Sequence, residues 1–82
     1  MSSQARIRDF IVDELRWNGA RNQLTGDYPL IDNDVLDSMG IFQVVTFVED
    51  EYGIEVDDED LVPDNFATLD AIARLVDGKN AP

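Results

Sequence analysis

Asp37 and Ser38 stand side by side where a polar, turn-rich stretch gives way to an apolar-periodic run. A serine at a helix start ordinarily caps it, its hydroxyl accepting from an orphan backbone N–H. The same position suits a phosphorylated or phosphodiester-linked group, because unpaired N–H groups and the positive end of the helix dipole receive phosphate oxygens. Asp37, just ahead of the helix, can offer its carboxylate to a first-turn N–H or to a metal ion at a modifying enzyme's site. Gly40 is expected to leave the approach to Ser38 clear of any side chain. Other chemistry is scarce. The 82 residues include no cysteine and no histidine, which removes thiolate nucleophiles, thiolate metal sites, disulfides and the commonest general base. Asp and Glu remain, but no pair is set apart for acid–base work, so an autonomous hydrolase or transferase is not expected.

The elements that must position Ser38 read as helices. In the first, Ile7, Phe10, Ile11 and Leu15 recur at helical spacing, with Ser2 or Ser3 to cap the start and Asn18-Gly19 to stop it. Residues 20–36 form a long loop carrying turn chemistry at Thr25-Gly26-Asp27 and Tyr28-Pro29, with room for one short helical turn. Leu24, Leu30, Ile31 and Leu36 are its apolar anchors. The second helix spans Ser38 to Tyr52 and stops at Gly53. Its core face is Ile41, Val44, Val45, Val48 and Tyr52 at 100° per residue. Met39, Phe42, Thr46 and Glu49 make a second face about 120° away, with Asp50 at its edge. Phe47 points to the opposite flank, toward another helix. A short third element covers 57–62 and ends at Pro63. Phe66 anchors the lead-in to a fourth helix that starts near Thr68, buries Leu69, Ile72, Ala73 and Val76, and closes at Gly78, leaving a disordered tail. The expected architecture is a single all-α domain, a small four-helix bundle with three main helices and one short one, its ordered core at about 4–77.

Charge narrows the partners. The net charge is −12, and no basic residue falls between Asn22 and Ala73, a span holding fourteen of the eighteen acids. Such a field repels nucleic acid and anionic membranes and favours basic protein surfaces. No signal-like or membrane-spanning run is present, so the expected location is the cytoplasm, with no membrane insertion and a monomeric state. An alternative class is an acidic metal-binding or adaptor module, for which Asp32-x-Asp34 hints at a calcium loop. In that alignment, however, Leu36 and Asp37 fill the fifth and sixth positions, and no glutamate stands at the twelfth. Weak divalent binding to the acidic surfaces is still expected.

The run Leu30-Ile31-Asp32-Asn33-Asp34-Val35-Leu36-Asp37-Ser38-Met39-Gly40 resembles the attachment region of acyl carrier and peptidyl carrier proteins, where Asp-Ser-Leu or Asp-Ser-Met opens the second of four helices. The similarity continues through Val48-Glu49-Asp50-Glu51-Tyr52-Gly53-Ile54-Glu55-Val56 and ends in Phe66-Ala67-Thr68-Leu69. It covers roughly residues 4 to 77. The resemblance implies that Ser38 carries 4′-phosphopantetheine donated from coenzyme A by a separate phosphopantetheinyl transferase, its thiol holding an acyl or aminoacyl group as a thioester. It further implies that Met39, Phe42, Gln43, Thr46, Glu49 and Asp50 contact the activating ligase and the downstream biosynthetic enzymes. Carriers of primary fatty acid synthesis have Gly-Ala ahead of the serine motif, and modular peptidyl carriers have Gly-Gly or Gly-His; here Val35-Leu36 takes that place. This pattern is more similar to free-standing carriers. These include discrete acyl or aminoacyl carriers of natural-product pathways and the D-alanyl carriers of teichoic acid modification.

Overall fold

The structure is a computed structural model that describes residues 3–15, 17 and 19–80. Among them are four α-helices and no strand: α1 (Ser3–Glu14), α2 (Ser38–Tyr52), α3 (Pro63–Phe66) and α4 (Leu69–Asn80). Two 3-10 turns, Arg21–Gln23 and Asp58–Asp60, interrupt the connections on either side of α2. The core follows the apolar spacing. Ile7 and Ile11 of α1 meet Val44 and Val48 of α2, Phe66 of α3, and Leu69, Ile72 and Val76 of α4, all buried. α1 packs most extensively on α4. Phe47, off the core stripe of α2, stacks on Phe10 of α1 with ring centroids 4.4 Å apart.

The long connection before α2 is bolted down rather than loose. Leu24, Leu30, Val35 and Leu36 are buried. Leu30 N–H donates to the Ala67 carbonyl (2.8 Å), and Val35 and Leu36 N–H both return to the Leu30 carbonyl. Asp34 takes the left-handed region (φ 60), which aspartate tolerates better than most residues, and Val35 and Leu36 follow it into the core. At Gly26 the carbonyl accepts from Asp70 N–H (2.9 Å), and a Cβ there would collide with the Asp70 carboxylate. Trp17 lies edge-on to Tyr28 at 5.1 Å, its indole N–H donating to the Ala20 carbonyl.

Several boundaries differ from the sequence reading. α1 ends at Glu14, and the expected caps Ser2 and Asn18 lie outside the described residues. Ser3 Oγ instead donates to Asp77 of α4 at 2.8 Å. Pro63 does not end a third helix but opens one. At the first helical position its missing N–H would have been unpaired anyway, and its fixed φ suits the helix. Only the turn Asp58–Asp60 remains of the expected element at 57–62. Thr68 caps α4, its Oγ1 accepting from Ala71 N–H at 3.0 Å. The helix then runs through Gly78 to Asn80, because the Lys79 ammonium reaches Asp60 (2.6 Å) and Asp57 (3.1 Å) and holds the last turn down. Of the expected disordered tail, Lys79 and Asn80 are therefore helical, while Ala81 and Pro82 lie outside the described residues.

Candidate functional site

Burial of Val35 and Leu36 delivers the chain to α2 in a fixed direction, and Asp37 converts that arrival into a helix start. Its backbone is extended (φ −103, ψ −171), and its carboxylate accepts from Gly40 N–H at 2.8 Å. Its carbonyl takes the first intrahelical bond, from Ile41 N–H at 2.9 Å. Ser38 therefore occupies the first helical position rather than the cap. Its side chain is exposed, and its hydroxyl has no hydrogen-bond partner among the described residues. The N–H groups of Ser38 and Met39 precede the first intrahelical bond and project from the positive end of the helix dipole. Gly40 does not serve the purpose expected of it. It is buried and faces inward, where a Cβ would lie 3.2 Å from the Leu36 side chain and 3.4 Å from the Asp37 carboxylate. Its smallness lets α2 settle on the loop rather than clearing the way to Ser38.

Two depressions flank the exposed edge of α2. A small cleft of about 170 Å³ is formed by Ser38, Ile41, Phe42 and Leu61. On the other side an open groove of about 570 Å³ runs between α1 and α2. Met39, Phe42, Gln43, Thr46 and Asp50 line it, with Met39 69% and Phe42 59% exposed. Thr46 Oγ1 donates to the Phe42 carbonyl (3.0 Å) and remains at the surface. Glu49 stands apart from these. It is half-buried, and its carboxylate accepts from Val56 N–H at 3.0 Å, holding the chain that returns after the left-handed Gly53. Sequence reasoning missed Phe10, Glu14, Phe47 and Glu51 as groove residues and Leu61 as a wall of the cleft. Two signals were available: Phe10 lies at the edge of its stripe, about 60° from Ile7, and Phe47 points off the core face of α2 toward another helix.

Behind α2, Lys79 ties the 3-10 turn to α4. Its hydrogen bonds hold the Asp60 carboxyl below its ordinary range, helped by the Asp57 N–H, and in return Asp60 and then Asp57 raise the Lys79 ammonium above its own. Burial raises the Tyr52 hydroxyl, which donates toward the Ser3 carbonyl at 3.4 Å. Among the described residues no three acids converge as metal ligands, and no helix is long and apolar enough to cross a membrane.

A short helical bundle that fixes the start of its second helix by burial, and leaves the first-turn serine standing free, has the form of a carrier domain. No protein-family model matches the chain. It is, however, 37% identical over 71 residues to the acyl carrier protein of Lactococcus lactis subsp. cremoris, spanning 87% of this chain and 84% of that one. Its fold is similar to that of apo KstB-PCP, at 33% identity and TM-score 0.78, covering 95% and 86% of the two chains. It is also similar to the holo acyl carrier protein of Nitrosomonas europaea, at 29% identity and TM-score 0.83 over the full length of both. The chain belongs to the acyl carrier protein family. Members of the family are carriers rather than catalysts, their cofactor is 4′-phosphopantetheine, and they work with phosphopantetheinyl transferases and biosynthetic enzymes.

Proposed function

We propose that Ser38 is the residue esterified with 4′-phosphopantetheine, delivered from coenzyme A by a separate phosphopantetheinyl transferase. The chain then shuttles an acyl or aminoacyl group between enzymes of a nonribosomal peptide, polyketide or lipid pathway. The observation that carries this reading is the division of labour at the start of α2: Asp37 caps the helix, so the Ser38 hydroxyl is exposed and unengaged. The bound group supplies a terminal thiol that holds cargo as a thioester, chemistry that a chain without cysteine has no side chain to perform. The residues present fit it. Ser38 Oγ is accessible as the ester oxygen, the Ser38 and Met39 N–H groups can receive phosphate oxygens, and the cleft of Ile41, Phe42 and Leu61 offers apolar wall beside the attachment point. Likeness to apo KstB-PCP, at 33% identity, supports the carrier reading.

Met39, Phe42, Gln43, Thr46 and Asp50 form the face that the activating ligase and downstream enzymes read. Glu49 serves that face from within, by fixing the loop behind it. The carrier works as a monomer in the cytoplasm, its self-association opposed by mutual repulsion at a net charge of −12. Incubation with coenzyme A and a promiscuous transferase is expected to add one cofactor per chain by intact mass. Ser38→Ala should remain unmodified with unchanged helicity by circular dichroism. A wild-type chain left unmodified while a control carrier is converted overturns the assignment.

A further inference from the structure

Ser38 lies between two recesses of different chemistry. The cleft that contains it is walled by Ile41, Phe42 and Leu61 and offers, among the described residues, no polar side chain besides the serine itself. On the α1 side, the serine's neighbours Asp37 and Met39 open onto a second cavity of about 290 Å³. It lies between the end of α1, the arriving loop and the first turns of α2. Leu15 and Val35 give it apolar wall, while the exposed side chains of Glu14 and Gln43 bring polar groups to its mouth. Gly40 enters the lining as bare backbone, and a Cβ there would point at Leu36, Asp37 and Leu15. Glycine weakens a helix relative to alanine. Here the small residue that seats α2 on the loop also leaves the cavity open.

We infer that this cavity is the resting site of the chain's own 4′-phosphopantetheine arm between visits to enzymes, the phosphate staying at Ser38 while the arm folds back past Met39. The inference rests on the reading of Ser38 as the attachment point, and it deepens that reading by naming the residues the arm touches. From the phosphate outward the arm carries two geminal methyls, a hydroxyl, two amides and a thiol. The methyls match the apolar wall of Leu15 and Val35. The hydroxyl and the amide N–H groups are donors that the Glu14 carboxylate can accept, and the Gln43 amide both donates and accepts. Neither Glu14 nor Gln43 has a hydrogen bond or ion pair of its side chain among the described residues. The cleft around Ser38, at about 170 Å³, is smaller and lacks such groups. Glu14, Met39 and Gln43 form the ridge between the cavity and the open groove along α2. An arm parked behind that ridge leaves Phe42, Thr46 and Asp50 uncovered for a partner.

The test loads the whole isotope-labelled chain with an unlabelled arm from coenzyme A, and intact mass confirms one arm per chain before spectra are compared. Isotope-filtered NOEs are expected from the geminal methyls of the arm to the methyl groups of Leu15 and Val35. Amide shifts between the apo and loaded chains should reach Leu15, Val35 and Gln43 as well as the attachment turn. Gln43→Trp, at an exposed position, closes the mouth of the cavity and should abolish these NOEs with helicity unchanged. Leu61→Ala, in the other recess, should leave them intact. NOEs confined to Ile41 and Leu61 would put the arm in the cleft, and none at all would leave it in solvent; either result overturns the inference. So would survival of the Leu15 and Val35 NOEs in Gln43→Trp. A chain that takes up no arm overturns the carrier assignment and this inference together; a loaded chain without these contacts overturns this inference alone.

Discussion

Ahead of α2, the connection over residues 20–37 is pinned by the buried side chains of Leu24, Leu30, Val35 and Leu36, whereas behind it residues 53–62 leave Ile54, Val56 and Leu61 half-buried and lean on carboxylates. The first segment is fastened chiefly by apolar burial and backbone hydrogen bonds, which salt and pH barely touch. Charged contacts enter at its beginning, where Arg21 pairs with Asp9 and Asp13 and Arg8 donates to the Leu24 carbonyl. The second is fastened by Glu49 to Val56 N–H and by Lys79 to Asp57 and Asp60, polar links at or near the surface. The serine and its cap sit on the apolar side of this division. Their geometry is therefore set by the stiffer connection, while Leu61, the far wall of the small cleft, hangs on the softer one.

The largest expected effect comes from breaking the stiff side. Leu36→Ala removes a fully buried side chain that packs on Gly40, and should cost about 2–5 kcal/mol, a large share of the stability of a domain this small. Leu61→Ala, at a half-buried position, should cost clearly less. Urea unfolding of both variants checks the contrast, and equal losses would show that the two connections are fastened alike. Next in size is the cap. Asp37→Ala should lose about 1 kcal/mol of stability, while Asp37→Asn, still an acceptor for Gly40 N–H, should keep most of it. A thermal melt of the two separates the cap from the charge.

What was legible in the sequence follows the same division. Leu24, Leu30 and Leu36 could be picked out as anchors because burial writes itself as apolar spacing, and the core stripes of α2 and α4 did likewise. The serine's exact station was less legible. Ser and Asp are both good caps, and only the observed bond to Gly40 N–H assigns the job to Asp37 and frees Ser38. Pro63 was read as a stop because proline has no N–H to donate back to a preceding turn, yet the same lack costs nothing at the first position of a helix. Gly78 was read as an end because the tether that extends α4 comes from carboxylates about twenty residues earlier in the chain. Glu49 looked like its exposed neighbour Asp50 until the chain was seen to turn back at Gly53 and offer it Val56 N–H. Links between residues distant in sequence and made by polar groups leave no period to detect.

The smallest effect, and the one that most directly sharpens the contrast, is the pH dependence of the Lys79 tether. The Asp60 carboxyl is held below its ordinary value of 3.8, chiefly by its hydrogen bond from Lys79. The stability it contributes is thus complete above that ordinary value and is lost as pH falls through the lowered one. The Lys79 ammonium is held above its ordinary value of 10.5, chiefly by Asp60. Its contribution is complete below that value and is lost as pH rises through the raised one. Between the two limits the tether is constant and, being exposed, weak and open to screening. Asp60→Asn should therefore melt slightly below the parent at neutral pH, with the gap closing in strong acid and narrowing in molar salt. Leu36→Ala, compared with the parent in the same buffers, should show a gap that neither acid nor salt closes. A gap for Asp60→Asn that stayed constant from neutral pH into strong acid would mean that Asp60 contributes by something other than its charge, and the distinction between a charged and an apolar connection around α2 would not stand.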